Sequence, residues 1–252
     1  MKSQERIAFL RKELSAYNHA YYVNDAAVIS DFKFDQLLIE LQQLEDNNPD
    51  LFDANSPTQR VGGELLEGFK AVKHNYRMLS LGNTYSAEDL HDFDVRINKL
   101  TDDDFEYVCE LKYDGISISL TYENGELTQA LTRGDGTQGD DVTVNVKTIK
   151  SIPLRLKGDF PEKFEIRGEI FLPIAALTSM NVIRVQQGLE PYANPRNTAS
   201  GSLKLLDTKE VAKRPLDCYL YHLLGENLPS NKHFDNLQKA RKWGFKIPSE
   251  IE

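Results

Sequence analysis

Hydrophobic residues in the first part of the chain recur at spacings of three and four, the period of one face of a helix. One series contains Ile7, Leu10, Leu14, Tyr17 and Tyr21, and a second contains Phe34, Leu37, Leu38, Leu41 and Leu44. Ser30 is the predicted N-cap of the second helix, and Asn47-Asn48-Pro49 predicts its end. We therefore predict two amphipathic helices that pack together, then a loop containing Gly62-Gly63 and a domain boundary between residues 67 and 68.

Beyond residue 68 the pattern shortens to strand-like segments. Residues 106–111, 116–122 and 126–132 are predicted strands. Asn124-Gly125 predicts a hairpin turn between the last two, because both residues tolerate a positive φ.

Two helices are expected among these strands. Ser86 and Asp89 form a capping-box pattern before the apolar stripe of Leu90, Phe93, Ile97 and Leu100, and Pro173 opens the second helix. The predicted fold class is α+β, with a small helical module over residues 1–67 and antiparallel sheets flanked by helices over residues 68–252.

Charge and cysteine content narrow the function classes. Thirty Lys and Arg residues against 39 Asp and Glu residues leave a net charge of −9, which disfavours independent binding to the phosphates of duplex DNA. Cys109 and Cys218 have no nearby cysteine partner, so we expect reduced thiols and no four-cysteine zinc site. The N-terminus has no sustained apolar run, so we expect a cytoplasmic protein without a signal peptide or membrane contact. We also expect a monomer.

The segment 110–115, Glu-Leu-Lys-Tyr-Asp-Gly, carries the strongest chemical signal. On a strand, Glu110, Lys112 and Asp114 would share one face, which we expect at the buried edge of the strand. A lysine becomes a nucleophile when its amine loses a proton, which burial favours and nearby carboxylates oppose. For the bare Lys-x-Asp-Gly pattern, a solvated lysine between two acids is the ordinary interpretation.

Further segments change that balance. In order along the chain they are SPTQRVGG at 56–63, MLSLGNT at 78–84, KYDG at 112–115, TRGDGTQGDDVT at 132–143, FEIRGEIF at 164–171 and ANPRNTASGSL at 193–203. Together they resemble the NAD-dependent DNA ligases of bacteria over residues 17–245. The resemblance implies a nicotinamide-binding module followed by an adenylation (nucleotidyltransferase) domain.

The resemblance implies a reaction in three steps. Lys112 attacks the α-phosphorus of NAD, releases nicotinamide mononucleotide and retains AMP. The AMP then passes to the 5′-phosphate of nicked double-stranded DNA, and the 3′-hydroxyl seals the nick and expels AMP. Mg²⁺ offsets the phosphate charge in this family, and no metal site is expected from this chain alone.

Site residues implied by the resemblance fall into three groups. Lys112 and Asp114 are catalytic, with Asp114 orienting the lysine or a metal-bound water. Adenosine would contact Ser80, Leu81, Glu110, Arg133 and Glu169; nicotinamide mononucleotide would contact Tyr21, Tyr22, Asp31, Phe34 and Asp35; phosphate or DNA would contact Arg196 and Lys204.

Simpler interpretations exist for several of these residues. Asp31 complements the dipole of a helix N-terminus, Asp35 fits a solvated acid, and Tyr21 fits the core stripe. Arg133 fits a turn residue, and Glu169 fits a partner of Arg167 on the same strand face.

The chain also departs from the family pattern. Phe34 replaces the usual tyrosine, Arg77 the usual proline, and Lys204 the usual arginine, which loses a bidentate fork. The family's two later nucleotide-binding lysines are missing, as are its OB-fold, Zn²⁺-binding finger, helix-hairpin-helix and BRCT regions, so we expect the adenylation domain to be truncated and this chain alone to have little activity. The alternatives are a non-catalytic NAD-binding fragment, or an ATP- or GTP-dependent RNA ligase or capping-type nucleotidyltransferase, which would not need the front helices.

Overall fold

A computed structural model describes residues 3–22, 28–61 and 67–249. The side chains of Tyr22 and Asp31 lie outside the described residues, so their predicted ligand contacts stay predictions. Residues 62–66 lie outside as well, and the domain boundary between residues 67 and 68 stays a prediction. No helix of the described ranges is long and apolar enough to cross a membrane.

The N-terminal module is a pair of packed helices, α1 (Ser3–Tyr22) and α2 (Asp31–Asp46), as predicted. Their shared core consists of Ile7, Leu10, Leu14 and Leu41. The Ser30 hydroxyl accepts a hydrogen bond from the Lys33 N–H and caps α2. The apolar stripes of both helices therefore bury each other.

Short 3₁₀ turns at Pro49–Leu51 and Pro57–Val61 follow α2 and lead to the second part of the fold. Asp53 pairs with Arg11 of α1 at 3.7 Å and with Arg155 of the second part at 3.2 Å. The Lys147 ammonium donates to the Ala54 carbonyl at 3.3 Å. Polar contacts therefore tie the helical module to the sheet domain.

The second part is organised around a four-stranded antiparallel sheet in the order β3-β2-β5-β6. Its strands are β2 (Ile116–Glu123), β3 (Glu126–Thr132), β5 (Lys163–Phe171) and β6 (Asp217–Leu224). The turn between β2 and β3 has φ values of 51° at Asn124 and 79° at Gly125, which confirms the predicted Asn-Gly hairpin.

Helices and a small sheet surround these strands. The two-stranded sheet pairs β1 (Ala71–Lys73) with β4 (Gln138–Asp140), and the helices are α3 (Ala87–Asn98), α4 (Thr143–Val146), α5 (Ile174–Gln186), α6 (Pro195–Leu203), α7 (Thr208–Ala212) and α8 (His233–Trp243). Helix α3 has the predicted capping box of Ser86 and Asp89. The predicted α+β class is confirmed.

The two faces of the four-stranded sheet have different chemistry. Ile118, Leu120 and Ile166 lie on the face that joins the main hydrophobic core, where Tyr122 packs against Phe164 at 5.6 Å between ring centroids. The alternate residues of the same strands carry hydroxyls and charges, including Ser117, Ser119, Glu165, Arg167 and Glu169. Strand alternation thus places a polar surface opposite the core.

The strand predicted for residues 106–111 is wrong. Glu110 forms a single isolated bridge and the rest of that segment has no strand assignment. Both edges of β2 are already paired, with β3 and β5, so this segment cannot pair with β2. The expected burial is also wrong, because Lys112 and Asp114 are exposed.

Candidate functional site

Glu169 is one of two buried carboxylates on the polar face of the sheet, the other being Glu165. Glu169 accepts hydrogen bonds from the Gly115 N–H at 3.1 Å, the Ser117 hydroxyl at 2.9 Å and the Tyr221 hydroxyl at 3.5 Å. The side chain is therefore anchored to both neighbouring strands, and not to Arg167, whose guanidinium donates to the Tyr76 carbonyl. The simpler interpretation of Glu169 as the ion-pair partner of Arg167 is not supported by these contacts.

Burial raises the pKa of Glu169, and the hydrogen bonds from Ser117 and Gly115 oppose that rise only in part. The positive charges of Lys112 and Arg196 also lower this pKa, which places both cations within electrostatic range of the carboxyl group. Glu169 therefore lies close enough to Lys112 and Arg196 to respond to their charges.

A close backbone approach explains the glycine of the Lys-Tyr-Asp-Gly motif. Gly115 lies against the carbonyl of Ile170, where an added Cβ would overlap the carbonyl oxygen. Glycine alone permits this contact, which brings the start of β2 next to Glu169. Lys112 lies three residues before Gly115 and is exposed, whereas Gly115 is buried.

Asp114 and Arg196 form the exposed polar partner pair beside Lys112. The Arg196 guanidinium contacts the Asp114 carboxylate at 2.8 Å. Arg196 belongs to the first turn of α6, which is capped by the Asn194 side chain. Lys112, Asp114, Glu169 and Arg196 are thus brought together from three elements far apart in sequence.

A β-bulge aims Tyr221 at this site. The register of β5 with β6 shifts between Arg167 and Gly168, so that Arg167 pairs with His222 and Gly168 with Leu220. Tyr221 is the extra residue. Burial, followed by the nearby charge of Glu169, raises the pKa of Tyr221 to about 12, so its hydroxyl stays a donor at neutral pH.

Glu110 is held by the start of α8. His233 Nε2 and Glu110 Oε1 are 2.7 Å apart, and Lys232 contacts Glu106 at 3.1 Å. His222 lies beside His233 with 5.7 Å between ring centroids. These side-chain contacts position the segment before Lys112 in place of the strand pairing that was predicted.

A backbone hydrogen bond links the segment before Ser80 and Leu81, which the resemblance assigns to adenine, to the turn after Arg133. The Met78 N–H donates to the Gly136 carbonyl at 2.9 Å, and Gly136 belongs to the turn that follows Arg133. Ser80 and Leu81 come directly after Met78, and both are exposed. Their contact with adenine, like that of Arg133 with ribose, stays a prediction.

Lys204 is the second predicted phosphate-binding residue, and it currently contacts a carboxylate. Its ammonium lies 2.7 Å from Asp140 Oδ2, with the lysine side chain about half exposed. Both predicted phosphate-binding cations are therefore paired with exposed or partly exposed acids, from which an anionic ligand can displace them at low cost.

A cavity of about 680 Å³ lies between the helical module and the sheet domain; we call it the interdomain cavity. Three predicted nicotinamide-site residues, Tyr21, Phe34 and Asp35, line it together with Tyr17. The two tyrosines that end the α1 stripe therefore face a cavity and are not part of the helical core. The structure brings together every predicted nicotinamide residue whose side chain it describes.

Some contacts could not be predicted from the sequence pattern. Ser117 lies two residues after Gly115, on the face of β2 that contains the contact with Glu169. The sequence could indicate this contact only if the register between β2 and β5 were already known. Tyr221 depends on a bulge, and His233 on the packing of α8. Lysines 150, 209 and 213 line the interdomain cavity, although no local pattern singles them out.

In the described ranges, no group of three or more His, Cys, Asp or Glu residues is arranged to hold a metal ion. Cys109 and Cys218 are free thiols, the second of them buried. Burial raises the pKa of the Cys218 thiol well above its usual value, so this thiol is unreactive.

The chain is similar to known proteins along almost its whole length. A family model described as the NAD-dependent DNA ligase adenylation domain matches residues 66–252, and one described as the DNA ligase-like, N-terminal NAD+-binding domain matches residues 1–62. A protein named DNA ligase from Flavobacterium psychrophilum is 62% identical over 98% of this chain and 37% of its own length. Proteins of the same name from Flavobacterium johnsoniae and Bacteroides fragilis are 59% and 55% identical over 100% and 98% of this chain. The chain spans 37% or 38% of the length of these relatives.

Proposed function

The chain belongs to the NAD-dependent DNA ligases, and from that premise we propose that it carries out lysine adenylation, with Lys112 as the residue that receives AMP. The observation that carries this proposal is the position of Lys112, exposed beside the buried Glu169 and the Asp114–Arg196 pair. An exposed amine next to a fixed polar surface is accessible to a dinucleotide.

The proposed step forms one bond and breaks one bond. The lone pair of the Lys112 Nζ attacks the α-phosphorus of NAD, and an N–P bond forms. The bond from this phosphorus to the bridging oxygen breaks, nicotinamide mononucleotide leaves with the electron pair, and the amine proton passes to solvent. The product is a phosphoramidate between Lys112 and AMP.

Residues of the sheet domain would bind the adenylate half of NAD. We assign Glu169 and Glu110 to adenosine, with Ser80 and Leu81 beside the base and Arg133 at the ribose. The support is the polar surface around Glu169 and the anchoring of Glu110 by His233. Fixed polar groups of this kind recognise a ligand without reorganising.

Magnesium would supply charge compensation at the phosphates. Asp114 fits this ion, because its carboxylate is exposed and Mg²⁺ is commonly held by one or two carboxylates, substrate phosphates and water. Asp114 would therefore contact both Arg196 and a hydrated Mg²⁺ ion.

The nicotinamide half is assigned to Tyr21, Phe34 and Asp35, together with Tyr22 and Asp31. A cationic nicotinamide favours aromatic faces and a nearby carboxylate, which the described residues of this group provide at the interdomain cavity. Phe34 keeps the ring but has no hydroxyl to donate.

The later steps concern the whole protein. We propose that it transfers AMP to nicked double-stranded DNA and seals the nick, with Arg196 and Lys204 contacting phosphates. The net charge of −9 supports DNA binding that depends mostly on other regions. A monomer in the cytoplasm is proposed too, and the free thiols support a reducing compartment.

Intact mass spectrometry of the full-length protein, after incubation with NAD, ATP or GTP, tests the proposal. We expect an increase of one AMP with NAD alone, lost in Lys112→Ala and retained in a control, Lys239→Ala, which removes an exposed lysine of α8. An adduct formed from ATP or GTP would favour the RNA-ligase or capping-type alternative. AMP mapped to another lysine would overturn the assignment of Lys112, and binding of NAD without any adduct would favour a non-catalytic module.

A further inference from the structure

The two walls of the interdomain cavity carry different charges. The wall from the helical module has aromatic rings and one acid, supplied by Tyr17, Tyr21, Phe34 and Asp35. The sheet domain supplies the lysines 150, 209 and 213, which we call the lysine wall. Among the described lining residues, every cation thus belongs to the sheet domain and the only acid belongs to the helical module.

Nicotinamide mononucleotide has the matching polarity. Its pyridinium ring is a cation, and its 5′-phosphate monoester carries a charge of roughly −1.5 to −2 at neutral pH. A ring seated against the aromatic wall and Asp35 leaves the phosphate needing cations, which the described residues of the helical module do not supply at this cavity.

We propose that Lys209 and Lys213, with Lys150 beside them, bind the 5′-phosphate of nicotinamide mononucleotide in this cavity. This rests on the proposed function, which assigns the nicotinamide ring to the helical module. None of the residues 110–115 lines the cavity. The proposed phosphate contact is therefore one with the mononucleotide as a free ligand.

The present contacts of these lysines allow a phosphate to compete. Lys213 contacts Glu210 at 2.6 Å, but the two side chains are 70% and 45% exposed, and pairs this exposed contribute little. Lys209 is exposed near the start of α7. A doubly charged phosphate is a stronger partner for both than a single solvated carboxylate.

Calorimetry with two ligands isolates the phosphate contact. Nicotinamide riboside has the same ring and ribose as the mononucleotide and no phosphate. We would titrate both into the 252-residue chain, into a Lys209→Ala/Lys213→Ala variant, and into a Lys239→Ala/Lys242→Ala control that removes the same charge from exposed positions on α8.

We expect wild-type chain to bind the mononucleotide more tightly than the riboside. The Lys209→Ala/Lys213→Ala variant should weaken mononucleotide binding by about tenfold, the size of one charge-assisted hydrogen bond, while riboside binding and both affinities of the control stay unchanged. Added salt should weaken binding of the mononucleotide more than that of the riboside.

The outcomes separate this proposal from the proposed function. Unchanged mononucleotide affinity in the Lys209→Ala/Lys213→Ala variant overturns the lysine wall and leaves the nicotinamide site standing. An equal loss for both ligands overturns it as well, because a packing defect does not depend on phosphate. If wild-type chain binds neither ligand, the nicotinamide site itself is wrong, and the lysine wall falls with it.

Discussion

The adenylate end and the nicotinamide end of the proposed site differ in how many parts of the fold form them. Around Glu169, the hydrogen-bond donors belong to the start of β2 and to β6 of the same sheet. The interdomain cavity has walls from α1 and α2 on one side and from α7 and Lys150 on the other. The first region is fixed when the sheet forms, whereas the second also requires the helical module to dock.

Because of this difference, ligand binding at the two ends should respond differently to substitutions. A carboxylate with several fixed donors discriminates one ligand geometry and tolerates little change. A cavity between two units depends on the free energy of their association, so variants at the interface change ligand binding without touching the ligand. Four experiments test the contrast.

The largest expected effect separates the donor from the later chemistry. In the full-length protein, Asp35→Ala should lower adenylation by NAD roughly 100-fold, since a carboxylate facing a cationic ring is lost, yet spare sealing of a nick that already carries AMP. Asp46→Ala, an exposed acid at the end of the same helix, is the control. Loss of both activities in folded Asp35→Ala protein would show that Asp35 is not specific to the donor.

At the adenylate end, around Glu169, we expect a smaller loss of adenylation activity and no loss of stability. Glu169→Gln should reduce adenylation about tenfold, through a weaker hydrogen bond to the nucleotide. Burial raises the pKa of Glu169, so ionising this side chain costs stability as the pH rises above about 4.5, the ordinary value. At pH 7 to 8 the variant should therefore melt no lower than wild-type protein, with Glu162→Gln as an exposed control. A marked fall in melting temperature at that pH would contradict this account.

A few-fold effect is expected where α8 holds the segment before Lys112. His233→Ala removes the contact with Glu110 and should raise the KM for NAD in adenylation with little change in kcat, because Glu110 would be less well positioned. His233→Gln places an amide nitrogen near the lost Nε2 and should restore much of the KM. Lys232→Ala, which removes only an exposed contact with Glu106, is the control; an equal effect from it would indicate general loosening of the segment.

The smallest effect concerns docking of the helical module. His19 lines a cavity of about 40 Å³ between the two units, and burial, followed by the charge of Lys157, lowers its pKa below the ordinary 6.5. A base with a lowered pKa in the docked state favours docking above pH 6.5 and loses that contribution as the pH falls below it. Hydrogen exchange of α1 should therefore be faster at pH 5.5 than at pH 8 after correction for intrinsic rates. In His19→Gln the difference should shrink, and an unchanged difference would assign it to other groups.

Local patterns predicted much of the fold correctly because they depend on neighbours in sequence. The stripes of α1 and α2, the cap at Ser30, the capping box at Ser86 and the Asn124-Gly125 turn all rest on contacts within a few residues. The stripe of α3 shows the limit of such patterns. Leu90 is 58% exposed, and Leu100, which was predicted to continue the stripe, follows the end of α3 at Asn98 and is 80% exposed. A helical period does not specify which surface the helix will meet.

The strand predicted at 106–111 failed for a related reason. Alternation of side chains describes a strand that has a partner, and partners are assigned by the whole sheet. Here β3 and β5 occupy both sides of β2, and the segment before Lys112 is held by side-chain contacts of Glu110 with His233 and of Glu106 with Lys232. Lys112 itself is exposed. No pattern within residues 106–111 indicates which strands of the sheet are already paired on both edges.

The sequence by itself determined the residue types of the chemistry: a lysine with a glycine three residues later, ordered motifs that resemble one enzyme family, and aromatic and acidic residues on the front helices. Only the tertiary structure decided which of them meet. The bulge at Tyr221, the approach of Arg196 to Asp114 and the cavity that Asp35 shares with the lysine wall bring together residues from tens to more than a hundred positions apart. Such contacts form because burial of the shared core brings distant segments together, and the core depends on the summed apolar surface of the whole chain, which no single motif contains.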